Sequence, residues 1–178
     1  MAQPSWAIYS TENLKRKRIK EESRRLASAF LGEIIAIRRI VEIRDYQETI
    51  KKCAYNAEKY GNVAVPKIDV RQNYLIVYEN NTDRLGLLPS KIIVRLSILY
   101  TAIKSVLEDF ATFSENDYDN EDPEQLAIQL RELEQIVFGV LALSNVMIHE
   151  LSEHAGEEIP EAFRADALED DESDVEVQ

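Results

Sequence analysis

EQLAIQLRELEQIVFGVLALSNVMIHELSEH, residues 124–154, carries the most regular pattern in the chain. Leu126, Leu130, Leu133, Val137, Val140, Ser144, Met147 and Leu151 follow one another at alternating steps of four and three without a break. Such steps return to one side of an α-helix, so the pattern predicts a long helix packed lengthwise against others. From Ile136 to Leu143 nearly every residue is apolar, which predicts cover from more than one side, by neighbouring helices or another subunit. Ahead of the seam stands a helix start: Asp122 as the cap, Pro123 at the first helical position and Gln125 placed to complete a capping box. Gly156 and Pro160 stop the helix.

Working outward, residues 90–113 hold a second stripe, Ile92, Leu96, Leu99, Ile103, Val106 and Phe110, opened by Pro89. The intervening SENDYDNED, residues 114–122, has five acids and no base and is expected to be a solvated loop. Residues 11–60 repeat apolar positions at helical steps from Ile19 to Tyr60. A phase change near Arg44 predicts two helices or one kinked helix, ended by Gly61-Asn62. NVAVPKIDVRQ, residues 62–72, reads as an extended connector. The run from Asn73 to Leu88 is ambiguous between strand and helix. Helix is favoured, because Tyr74, Val77, Tyr78, Asn81 and Leu85 share one helical face and no second strand exists to pair with a first. Gly86 is then expected to take a left-handed conformation at its end.

Composition agrees with long helices. The chain has 178 residues with only five Gly and five Pro, too few for a turn-rich sandwich or barrel. One cysteine, Cys53, excludes an internal disulfide framework and makes cytoplasm the default expectation. The fold class expected is all-α: an antiparallel bundle of four to five helices over residues 11–160, with an N-terminal arm at 1–10 and a disordered acidic tail at 161–178.

Charge is distributed unevenly. The net is -12, and the stretch from Glu150 to Gln178 holds twelve acids against the single base Arg164. The first 25 residues are basic, with Lys15, Arg16, Lys17, Arg18, Lys20, Arg24 and Arg25 against three acids. An acidic surplus disfavours nucleic acid as a partner, and the Lys15–Arg18 run lacks interleaved aromatics for base stacking. That basic run is either a local patch for an anionic surface or a solvated helix face paired with Glu21 and Glu22. The window 26–43 is apolar but broken by Glu33, Arg38, Arg39 and Glu42, so it is not expected to span a membrane.

No catalytic constellation emerges. His149 and His154 are five apart, which puts them about 140° from each other around a helix, unlike ligands of one metal. Paired acids such as Glu108-Asp109 lie beside solvent signals, and no Gly-rich elbow or phosphate loop is present. Cys53 falls on an apolar face as a small core residue. No catalytic residue, metal ligand or cofactor is therefore expected, and an enzyme is the least supported class.

Two stretches, NNTDRLGLLPSKIIVRLSILYTAIKSVLEDF and AFLGEIIAIRRIVEIRDY, carry a recurrent order: Tyr78, Asn81, Asp83, Leu85 to Leu88, then a helix with the aromatic Tyr100. In this the chain resembles a loosely defined group of uncharacterised bacterial helical proteins. The resemblance implies a fold rather than a chemistry. Many of that group look membrane-anchored through an apolar first segment, from which this chain departs by its interrupting charges. Asn81 and Asp83 are expected to bond backbone groups at a helix-to-helix corner.

The expected function is thus a non-enzymatic helical protein–protein interaction module that self-associates through the Leu126–Leu151 seam, although the same residues would fill the core of a monomer. The alternative is an acidic regulator or inhibitor, of the kind carried by phages or plasmids, that covers a basic nucleic-acid-binding surface of a partner protein. A membrane-surface role for Lys15–Arg25 is a third option.

Overall fold

The computed structural model describes residues 5–68, 74–116, 118 and 121–163, with side chains from residue 12 onward. Among the described residues five α-helices follow one another: α1 (Ser5–Ile43), α2 (Tyr46–Tyr60), α3 (Ile76–Asn80), α4 (Ser90–Glu115) and α5 (Pro123–Ala155). Short 3-10 turns cover Thr82–Leu87 and Glu161–Phe163, and no strand occurs among the described residues. The all-α antiparallel bundle read from the sequence is what the chain forms.

Its centre is α5, which packs against α1, α2 and α4. Two fixed points set the direction along α1: Ser23 meets His154, and Arg38 meets the backbone of Leu141. The numbering rises on one helix as it falls on the other, so the two run antiparallel. The same direction continues into α2, where Glu58 pairs with Arg131, and holds for α4, where Arg95 pairs with Glu150. Three rods result, with α1 and α2 forming a single broken rod.

The break falls at the phase change. Asp45 is the one non-glycine residue with positive φ among those described, at φ 51 and ψ 42. One left-handed residue turns the helix axis and resets its apolar face. Ile50, Ala54 and Ala57 therefore reach the core from α2 as Phe30 and Ile34 do from α1. Gly61 and Gly156 end α2 and α5 in left-handed conformations that cost glycine nothing sterically. Asp122 accepts a bond from the Glu124 N–H at the start of α5, with Pro123 behind it.

Three expectations need correction. The first helix begins at Ser5, inside the segment expected to be an arm. Residues 161–163, placed in the tail by the sequence, form a 3-10 turn whose Phe163 ring lies 5.4 Å from the Arg38 guanidinium carbon. The stretch expected as one helix near Tyr78 is split at Asn81 into α3 and a 3-10 turn. Gly86 lies within that turn and is not left-handed. The split has a use: the five-residue α3 packs on α1 and wedges Tyr78 against Tyr100 of α4. The remainder of the expected acidic tail, 164–178, lies outside the described residues, as does 69–73 of the connector.

Candidate functional site

At the wedge, the charge that interrupts the apolar stretch of α1 becomes the organising group. Glu33 is only 8% exposed. Its Oε1 accepts the Val77 N–H at 2.6 Å, and its Oε2 accepts the Tyr78 N–H at 3.1 Å and the Tyr100 hydroxyl at 2.6 Å. The first turn of any helix exposes N–H groups with no partner inside the helix, and a carboxylate satisfies them well. Tyr78 stacks on Tyr100 with ring centroids 4.0 Å apart and planes 13° apart, and Phe30 closes the cluster at 6.1 Å from Tyr100. Burial, then the bond and charge of Glu33, push the Tyr100 phenol far above its ordinary range, so its proton stays in place. By accepting these three bonds, the Glu33 side chain fastens three chain segments, α1, α3 and α4, to one another.

Two of the four expected motif residues, Tyr78 and Tyr100, thus meet, 22 positions apart in sequence. Asn81 donates from its side chain to the Val77 carbonyl at 2.8 Å and closes α3, as its backbone-bonding role anticipated. Asp83 remains at the surface. Glu33 was missed as a site residue: in sequence it reads only as a charge that breaks an apolar window. Its spacing from Leu26, Phe30 and Ile37 on the buried face was the signal available.

A second junction lies at the far end of α5. Ser23 donates its hydroxyl to the Leu87 carbonyl at 2.7 Å, and His154 Nε2 lies 2.8 Å from Ser23 Oγ. Since the serine proton points at Leu87, the histidine must supply the hydrogen of the other bond. Beside it a cleft of about 410 Å³ opens between Lys20 and Arg24 of α1, Lys91 of α4, and Glu150, Glu153 and His154 of α5. Glu150 takes Lys91 at 2.7 Å and also Arg95. Burial alone would raise the Glu150 carboxyl, and the bonds and charges of Lys91 and Arg95 outweigh that, leaving it below its ordinary value. His149 is exposed on another side of the helix, as the five-residue spacing requires. No group of three or more His, Cys, Asp or Glu able to hold a metal occurs among the described residues.

Asp109 departs from the solvated acid expected. It is half-buried, and burial together with neighbouring Glu108 raises its carboxyl above the ordinary value. Cys53 is half-buried on α2, and burial raises its thiol. Apolar side chains including Ile37, Val41, Tyr46, Val106, Phe110 and Val140 line a cavity of about 60 Å³ beside the break between α1 and α2.

The interaction candidates separate cleanly. Leu126, Leu130, Leu133, Met147 and Leu151 are at most 2% exposed, and Val137 and Val140 are also buried. The seam therefore holds one chain's bundle together, and self-association through these residues would require the bundle to open. Lys15, Arg16, Lys17 and Arg18 lie instead on a stretch of α1, residues 12–21, in which every residue is exposed. Ser23 sits level with the end of α5 and Lys20 still lines the cleft beside Lys91, so the exposed stretch of α1 that runs beyond the end of α5 covers residues 12–19, about 12 Å at 1.5 Å per residue. Arg18 pairs with Glu22 and Arg25 with Glu21, one turn apart. Leu14 and Ile19 are 64% and 44% exposed on this projection.

No helix among the described residues is long and apolar enough to cross a membrane. No protein-family model, no curated protein and no solved structure matches the chain.

Proposed function

We propose that the protein is a non-enzymatic helical interaction module whose bundle holds out the basic Lys15–Arg18 stretch of α1 to a partner protein. One observation carries this: residues 12–21 form a continuous helix with every side chain exposed. A helix of that length is marginal in water by itself, and tertiary cover usually supplies its stability. Here the bundle anchors only its C-terminal continuation, through Ser23, Leu26 and Phe30, and leaves two apolar side chains and the Lys15–Arg18 run facing outward. A partner with an acidic rim around an apolar groove would match both features. The alternative of an acidic regulator rests on residues 164–178, outside those described.

The test is affinity capture from cells that make the protein, with the whole chain and with a chain lacking residues 1–21. Proteins retained by the first and lost with the second support the role. Identical sets, or no retained protein, overturn it.

A further inference from the structure

The outer face of α5 is left uncovered by the bundle, and it has an internal symmetry. Taking about 100° per residue, the side directly opposite the buried seam is centred on Ala142. Ala142 and Gly139 are exposed, and Phe138 and Val146 are 62% and 42% exposed. From Gln135 to His149 the exposed positions of α5 are Gln135, Phe138, Gly139, Ala142, Asn145, Val146 and His149, none of them Asp, Glu, Lys or Arg. That is unusual in a chain of net charge -12. The apolar run 136–143 was expected to be covered from more than one side. Neighbouring helices α1, α2 and α4 supply that cover, half-burying Ile136, Leu141 and Leu143, yet they leave Phe138 exposed.

Positions at equal distance before and after Ala142 match one another. Phe138 corresponds to Val146, both large and apolar. Gln135 corresponds to His149, both able to donate and accept hydrogen bonds. At the two ends of the face Arg131 corresponds to Glu153, opposite charges that both lie within about 20° of the Ala142 line.

We propose that this face binds a second copy of the chain, α5 against α5 in antiparallel, about a two-fold axis through Ala142. This deepens the interaction role proposed above by naming one partner and the surface it uses. Under that symmetry Phe138 of each copy packs beside Val146 of the other, the small Ala142 and Gly139 let the helices approach closely, and Arg131 of each copy meets Glu153 of the other. Arg131 already pairs with Glu58 at the surface, so it exchanges or shares that exposed partner at little cost. Helices in contact from 131 to 153, about 33 Å, bury on the order of 1,000 Å² in total, at the low end of specific interfaces. A dimer with dissociation constant in the range of about 1–100 µM is expected, doubling the number of α1 projections presented to a partner.

Sedimentation equilibrium of the full chain from 1 µM to 1 mM tests the proposal, all concentrations being about decade steps around the expected constant. The parent should dimerise, and Phe138→Asp and Ala142→Glu should each weaken dimerisation by at least about tenfold, with helical circular dichroism unchanged. Arg131→Glu alone should weaken it, because it sets acid against Glu153, and Arg131→Glu combined with Glu153→Arg should restore it. Restoration is specific to antiparallel self-pairing. In a Cys53→Ser background, Ala142→Cys should give a disulfide-linked dimer on oxidation, whereas Val94→Cys on the back of α4 should not. A parent that stays monomeric at the highest concentration overturns the proposal, as does a dimer indifferent to Phe138→Asp and Ala142→Glu. Removing residues 1–21 separates the two ideas: a dimer that survives the removal while partner capture is absent leaves this interface standing and the α1 role fallen, and a monomer with arm-dependent capture does the reverse.

Discussion

The Tyr100 hydroxyl donates to Glu33 Oε2 across 2.6 Å, joining the middle of α1 to the middle of α4 through a carboxylate that also holds the first turn of α3. Both residues are almost fully buried, at 0% and 8% exposure. The bond therefore lies in a medium where an unmade partner is costly.

Glu33→Ala should destabilise the protein by about 3–5 kcal/mol, because it strands two backbone N–H groups and a phenol in the core. Tyr100→Phe removes one donor and leaves the carboxylate two others, so about 1–2 kcal/mol is expected. Urea unfolding of both variants and of the double variant measures the coupling between them. A loss below about 1 kcal/mol for Glu33→Ala would show that α3 does not depend on this carboxylate.

Asp45 sits at φ 51 without a side-chain cap bond, so its conformation, not its chemistry, shapes the break between α1 and α2. Asp45→Gly should match or slightly exceed the parent in stability. Asp45→Val should lose about 1–2 kcal/mol, since a β-branched side chain is strained there. Equal midpoints for parent and Asp45→Val in denaturant would remove the strain argument.

The inner and outer faces of α5 predict opposite outcomes for similar truncations. Leu133→Ala, at a position 2% exposed, should cost about 2–5 kcal/mol through the cavity it leaves. Phe138→Ala, 62% exposed, should shift the stability of the monomer by no more than about 0.5 kcal/mol. Thermal and urea unfolding at sub-micromolar protein, where a weak dimer is dissociated, is the measurement. A large loss for Phe138→Ala under those conditions would place that ring inside the fold.

Acid should loosen the junction of α4 with α5. Lys91 and Arg95 hold the Glu150 carboxyl below its ordinary 4.5 in the folded state, so the folded chain binds fewer protons there than the unfolded one. The stabilisation from Glu150 is then complete above about pH 5 and is lost as the pH falls through 4.5 and on through the lower folded value. Glu150→Gln should be less stable than the parent at neutral pH, and the difference should shrink in that acid range. A difference that holds constant from neutral pH into acid would mean the pair contributes no net charge stabilisation.

Helix identity and location were legible locally. The seam of α5, the stripe of α4, the break near Arg44 and the Asp122-Pro123 start all appear where periodicity and capping chemistry put them, because each depends on neighbours within a few residues. Short-range signals failed where the chain leaves regular structure. Gly86 resembled a left-handed stop, yet a 3-10 turn accommodates it with ordinary dihedrals, and the five residues of α3 are too few for periodicity to decide.

What the sequence alone determined is a set of amphipathic rods and the uneven distribution of charge between its two ends, since both follow from residue type and spacing. Which stripe faces inward was left to tertiary structure. The Leu126–Leu151 seam suits a partner chain as well as it suits α1, α2 and α4, and the packing of those three helices onto α5 is what buries it in one chain. The same applies to Glu33. Its role as an anchor exists because α3 carries unpaired N–H groups to within 3.1 Å of it, a distance set by residues more than forty positions away. Hydrogen bonding and burial depend on what surrounds a side chain in space, and spacing along the chain records that only where the neighbours are local.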